Sequence, residues 1–243
     1  MTNYSIQLYS IRDLSAKDFP AAIKAAAEIG YSAIEFAGFF GYEAETVKKL
    51  LDENNIAVSG THTGWQELTD ENIDKTIAYH KTIGNKYIIV PGGDFSTKEK
   101  LDAFIELIKK ASPKLKAEGI TLGYHNHSHE FVPNTDGLYI FDELFNRTDI
   151  ALELDTFWAY AADKDPVGLM EKIGDRLIFI HLKDGIKATR EGRTVGNGDA
   201  PVVKVIEKAI EMNVPMVVES ETLKPDGVTE AKNCMEFLRQ LGK

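Results

Sequence analysis

Short apolar runs rich in β-branched residues recur along this chain, and a helical pattern fills every gap between them. The runs are Tyr4 to Tyr9, Ala33 to Ala37, Ala57 to His62, Lys86 to Val90, Ile120 to His125, Ile150 to Asp155, Leu177 to Leu182 and Pro215 to Glu219. Turn-forming Gly, Pro, Asp or Asn bounds each one, which is how a strand buried on both faces of a parallel sheet reads. Helices are expected at Asp18 to Ile29, Glu43 to Asn54, Thr69 to Ile83, Ser96 to Glu118, Leu138 to Asn146, Pro166 to Ile173, Pro201 to Met212 and Thr229 to Leu241. In the first of these Phe19, Ile23, Ala26 and Ala27 share a face, and Gly30 stops it. Thr69 opens a Thr-Asp-Glu-Asn stretch suited to capping, and Pro113 is expected to kink or break the longest helix. Eight strands alternating with eight helices over 243 residues predict an α/β fold, a (β/α)8 TIM barrel formed as a single domain over 1–243. A doubly wound sheet would carry a glycine-rich phosphate loop after its first strand, and that strand here ends Gln7-Leu8-Tyr9-Ser10.

Composition narrows the partners. Hydrophobic residues reach 43%, too many for a disordered chain. A net charge of -10, from 28 basic and 38 acidic residues, argues against nucleic acid, whose binders carry a basic excess. No apolar run approaches the roughly 20 residues that span a bilayer, so no membrane partner is expected. The start Met1-Thr2-Asn3-Tyr4 has no basic segment or apolar signal core, and the single Cys234, read as packing, cannot form an internal disulfide. Both point to a cytoplasmic location.

In a barrel, chemistry sits where strands end and loops begin. His62, His125, His127, His129 and His181 all fall at or just past such ends, whereas His80 lies on a helix as a surface or packing residue. Period-2 alternation projects Glu153 and Asp155 to one face of strand six, with Leu152 and Leu154 turned to the helices. His181 and Lys183 share a face of strand seven, and Glu219 closes the apolar run of strand eight. Two arrangements account for Asp155, His181 and Glu219 at comparable depth. One is a divalent-metal site, for which oxygen and nitrogen donors suit Mn, Mg, Co or Zn. The other is a buried salt-bridge network that includes Lys183. The tract Tyr-His125-Asn-His127-Ser-His129-Glu130 supplies further ligands or pocket-lining hydrogen-bonding groups, with Glu130 able to reach back as a fourth ligand.

Gln7-Leu8-Tyr9-Ser10-Ile11-Arg12-Asp13, Tyr124-His125-Asn126-His127 with Glu130-Phe131, Asp155-Thr156-Phe157-Trp158 and His181-Leu182-Lys183-Asp184 resemble the xylose isomerase-like TIM-barrel superfamily, within it the sugar phosphate isomerase/epimerase group. The resemblance implies one divalent metal held by Glu, Asp, His and Glu on the last four strands, with Asp155, His181 and Glu219 matching the last three. The chain departs from ketose epimerases where Tyr124 takes the place of the first Glu, leaving Glu130, His125 or His127 for that role. Trp158 stands where epimerases place a His, which suggests stacking on a sugar or glycoside face. Members of the group are often dimers or tetramers, so a homo-oligomer is allowed, although no exposed stripe demands one.

The resemblance and the residues together predict a metal-dependent isomerase or epimerase of carbohydrate metabolism, acting on a small sugar or keto-sugar. A proton beside the carbonyl would be moved through an enediolate held by the metal. Glu219 is the expected base on one face and Glu130 on the other. His62, His125, His127, Trp158, Lys183 and Glu35 are expected to contact substrate, although Lys183 would serve equally as an ion-pair partner of Glu153. Gln7, Tyr9 and Trp65 are further pocket-lining candidates. The segment Arg190 to Asp199 reads either as a closing loop or as a solvent turn, with Gly196 and Gly198 forming a Gly-x-Gly element. The main rival is a lyase or dehydratase on a keto-sugar or 3-keto-glycoside, with His125 or His127 as acid. An endonuclease IV-type phosphodiesterase and a sugar-binding barrel without catalysis are more distant alternatives.

Overall fold

Closure of a parallel sheet on itself organises the chain, which is represented by a computed structural model describing residues 3–242. Met1 and Thr2, on which the leader argument partly rests, lie outside the described residues. The barrel strands are β1 (Tyr4–Gln7), β2 (Ala33–Phe36), β3 (Ala57–His62), β4 (Tyr87–Val90), β5 (Thr121–His125), β6 (Ala151–Asp155), β7 (Leu177–Leu182) and β10 (Met216–Val218). Each pairs in parallel with its sequence neighbour, and β10 closes against β1. An antiparallel hairpin of β8 (Asp184–Ile186) and β9 (Glu191–Arg193) is inserted after β7. Its second strand, β9, lies within the 190–199 segment that the sequence leaves between a closing loop and a solvent turn, and β8 precedes that segment.

The helices are α1 (Arg12–Ser15), α2 (Phe19–Ile29), α3 (Ala44–Glu53), α4 (Ile73–Thr82), α5 (Lys98–Ala117), α6 (Ile140–Arg147), α7 (Thr156–Ala161), α8 (Pro166–Ile173), α9 (Val202–Met212) and α10 (Gly227–Gln240). Local chemistry explains most of their ends. Asp18 caps α2 by accepting from the Ala21 amide at 3.0 Å, and Gly30 ends it in the left-handed conformation. Two expectations need correction. Thr69 does not start α4: its hydroxyl donates back to the Gln66 carbonyl, and the helix begins at Ile73. Of the kink or break expected at Pro113, the break does not occur: helix α5 continues through that residue. Lys109, whose carbonyl loses its helical donor there, and Pro113 itself are both exposed, so water can serve that carbonyl while the buried face holds. Among the described residues, no helix is long and apolar enough to cross a membrane.

Two apolar clusters divide the core. The larger lies between barrel and helices and includes Leu152 and Leu154. The smaller, Ile89, Phe179 and Val217 with Tyr87 and Ile178 against it, plugs the barrel interior. By strand alternation Phe179 is followed inward by His181 and then Lys183, and Val217 by Glu219. A polar layer therefore sits directly on the apolar plug. Gly60 makes room for it, because a Cβ there would lie 2.9 Å from Glu35 Oε1 and 3.2 Å from Ile89 Cδ1.

His80 packs inside α4, 2% exposed, with Nδ1 3.0 Å from the Asn85 amide nitrogen and 3.4 Å from Thr61 Oγ1. A ring accepting from Asn85 must be neutral at Nδ1, and burial lowers its pKa from 6.5 to about 4. Above pH 6.5 the folded and unfolded rings are both neutral and stability is full. As pH falls, the unfolded ring takes its proton first, so stability on the order of 3 kcal/mol is lost between about 6.5 and 4. His80→Asn should be less stable at pH 7 and lack this loss, so urea melts at pH 7 and pH 4.5 should show the gap to the parent narrowing in acid.

Candidate active site

Adjacent strands bring Asp155, His181 and Glu219 into one group, with one donor atom from each within 4.8 Å of the others. Asp155 lies opposite His181 in the β6–β7 register, and Val217, two residues before Glu219, is also opposite His181. His181 is fully buried and used on both sides. Its Nδ1 lies 3.2 Å from Glu219 Oε2, and its Nε2 lies 2.6 Å from Glu35 Oε2 and 2.9 Å from Glu153 Oε1. Burial opposes protonation of His181, but Glu153 and Glu35 outweigh it and hold the pKa well above the ordinary histidine value.

Asp155 has two distinct oxygens. Oδ1 accepts from the Trp158 amide at 2.8 Å, capping α7, whereas the buried Oδ2 accepts no hydrogen bond among the described residues. Burial pushes the Asp155 carboxyl up to about 7, against the pull of Lys183. Lys183, 1% exposed, lies 3.1 Å from Glu219 and 3.0 Å from Glu221, 3.8 Å from Asp155, and 4.8 Å from the centre of the Trp158 ring. Its ion-pair partners are thus Glu219, Glu221 and Asp155, and the pair with Glu153 considered from sequence does not form. Burial disfavours ionised Glu219, but Lys183 and His181 overcome it and keep that carboxyl well below the usual range.

An acid-rich, buried group with one carboxylate oxygen free of hydrogen bonds fits a hard or borderline divalent cation. Asp155, His181 and Glu219 could hold one, His181 through Nδ1, since its Nε2 already faces two carboxylates. A ligating His181 must be neutral at that nitrogen, so binding would displace its proton.

Glu130 is placed elsewhere. It is fully buried and groups with His127 and His129 instead of with the trio. One oxygen accepts from Tyr124 Oη at 2.6 Å and the other from the His127 amide at 2.8 Å. This carboxylate holds the turn after β5. His127, by contrast, keeps a buried Nδ1 without a hydrogen-bond partner, as does Trp158 Nε1. Their ring centres are 6.3 Å apart, and burial lowers the His127 pKa to about 4. His129 is more than half exposed.

His62, His125 and Glu35, expected to meet substrate, bond to other barrel side chains. His62 Nε2 and His125 Nδ1 approach Glu153 Oε1 at 2.8 and 3.0 Å, joining His181 there. Glu35 accepts from Gln7 at 2.7 Å, and burial together with Glu153 raises its carboxyl to about 7. Tyr9 is exposed beneath Arg12, and Trp65 lines a largely apolar cavity with Phe95 and Phe104. The Gly-x-Gly element is already occupied: Asp184 Oδ2 accepts from the Gly196 and Gly198 amides at 2.9 Å each. Those amides lock the segment after the hairpin and are not free to cradle a phosphate. Sequence reasoning missed the roles of Glu221 and Asp184 and the centrality of Glu153. The alternation Glu219-Ser220-Glu221 was the available signal for the first.

Comparison with known proteins agrees with this architecture. The family described as xylose isomerase-like TIM barrel matches residues 23–241. A 2-oxo-tetronate isomerase from Haemophilus influenzae is 26% identical over 232 residues, covering 85% of this chain and 88% of its own length. An inosose dehydratase from Geobacillus kaustophilus is 23% identical over 182 residues, 65% of this chain and 59% of the relative. A solved sugar phosphate isomerase/epimerase from Parabacteroides distasonis superposes with a TM-score of 0.82 at 24% identity, covering 98% of this chain and 93% of that one. The chain belongs to the xylose isomerase-like TIM barrel family.

Proposed function

We propose that this chain is a divalent-metal-dependent isomerase acting on a small sugar or keto-sugar, transferring a proton at the carbon beside its carbonyl. The observation that carries the reading is Asp155 Oδ2, a buried carboxylate oxygen with no hydrogen bond beside His181 and Glu219. Asp155, His181 and Glu219 would hold the metal, which supplies a Lewis acid for the carbonyl and neighbouring hydroxyl oxygens. Isomerase, epimerase and dehydratase relatives support a carbohydrate substrate.

The chain's own groups divide the remaining work. Glu219, kept ionised by Lys183 and His181, is in the form that accepts a proton from carbon. Lys183 fixes that carboxylate while its charge lies over Trp158, leaving an indole N–H to donate to a substrate hydroxyl. His127 is neutral at pH 7 and offers its unpartnered ring nitrogen to a second hydroxyl. Glu130 supports His127 through its backbone and serves here as a positioning group instead of a ligand or second base. That placement favours isomerisation with one base over epimerisation with two. A dehydratase reading draws on the same unpartnered His127 nitrogen, which would assist departure of a β-hydroxyl.

Stripping the protein with a chelator should abolish turnover of small ketoses, and Mn, Mg or Co should restore it; activity indifferent to chelation removes the reading. Glu219→Gln should lower kcat by roughly 10²–10⁴-fold with the fold retained, as steady-state kinetics and circular dichroism would show. Mass spectrometry of the product separates the two chemistries: an isomer keeps the substrate mass, whereas dehydration removes one water.

A further inference from the structure

One layer deeper than the Asp155–His181–Glu219 trio, counting two residues back along β6, a second group of donors converges. His62, His125, Glu153 and His181 each place a donor atom within 4.8 Å of the others, and three of the four residues are buried. We propose that His62, His125 and Glu153 form a second divalent-cation site, distinct from the first and joined to it through His181. Two imidazoles and a carboxylate suit a borderline cation such as Zn, Co or Mn.

Three independent features support this site. Glu35 and Glu153 are both fully buried, and every ion-pair partner they have among the described residues is a histidine; no lysine or arginine balances them. Both carboxylates keep one buried oxygen, Glu35 Oε1 and Glu153 Oε2, without a hydrogen bond. The charge facing these two buried acids comes from imidazoles alone, and a divalent cation at the same donors would supply it in their place. Finally, one donor borders open space: the His62 side chain is 12% exposed and lines a cavity of about 330 Å³ with Gly38, Thr63 and Tyr79. His62 Nε2 and His125 Nδ1 already face Glu153 Oε1, so binding exchanges their ring protons for the ion without re-aiming either side chain.

The inference does not need the reaction assigned above, and metal counting separates the two. Chelator-stripped protein is equilibrated with Co²⁺, freed of excess by gel filtration and assayed for cobalt per chain, with visible absorption recorded. Two ions per chain are expected, falling to one in His62→Asn, in His125→Asn and in Asp155→Asn, with absorption bands persisting in the last. One ion in the parent protein, lost in Asp155→Asn and kept in His62→Asn, overturns the second site and leaves the first intact. No bound ion in the parent overturns both. If His62→Asn fails to fold, the parent stoichiometry and the Asp155→Asn spectrum still decide.

Discussion

Confinement of ionisable side chains inside a closed barrel is the constraint on which this structure depends. Glu35, Glu153, Asp155, His181 and Glu219 are all at most 5% exposed, and Lys183 is the only buried lysine or arginine among the described residues. A lone charge in such a place would be prohibitive, so each group persists only because its neighbours answer it. Gln7 donates to Glu35, Glu35 faces His181, His181 faces Glu219, and Glu219 faces Lys183, which Glu221 also engages. The layer behaves as one unit, in which Asp155 Oδ2, Glu35 Oε1 and Glu153 Oε2 accept no hydrogen bond among the described residues.

The plug beneath the polar layer makes that arrangement possible. Ile89, Phe179 and Val217 close the lower interior and keep water from competing for the histidines and carboxylates above. Around the mouth, acids do different work. Asp155, Glu130 and Asp184 each accept backbone amides, and so tie down the start of α7, the turn after β5 and the segment after the β8–β9 hairpin. Carboxylates facing side chains build the site, and carboxylates facing amides hold its rim. Asp155 does both, with one oxygen for each purpose.

Much of this is legible in the sequence. The order and spacing of the strands follow from apolar runs bounded by turn residues, and the shared faces of Glu153 with Asp155 and of His181 with Lys183 from period-2 alternation. Alternation also put Glu153 inside, but could not name its partners. Lys183 is two residues beyond His181, just past the end of β7, so its reach is toward the mouth and Glu221; Glu153 sits a layer lower among imidazoles. Sequence distance placed Glu130 near the mouth, and the fold decides that its two oxygens accept from Tyr124 Oη and the His127 amide there.

The sequence by itself determined the barrel, because hydrophobic period and turn residues are local properties carried by consecutive amino acids. It also determined which strands bear acids and imidazoles, since strand alternation needs only a register origin. Tertiary structure alone decided which of those groups meet. Glu35 is 146 residues from His181 and yet 2.6 Å from it, a contact created by the curvature of a closed sheet and by the space left at Gly60. Partner choice among buried charges is a contest of distances across the barrel, and those distances exist only once the eight strands have closed.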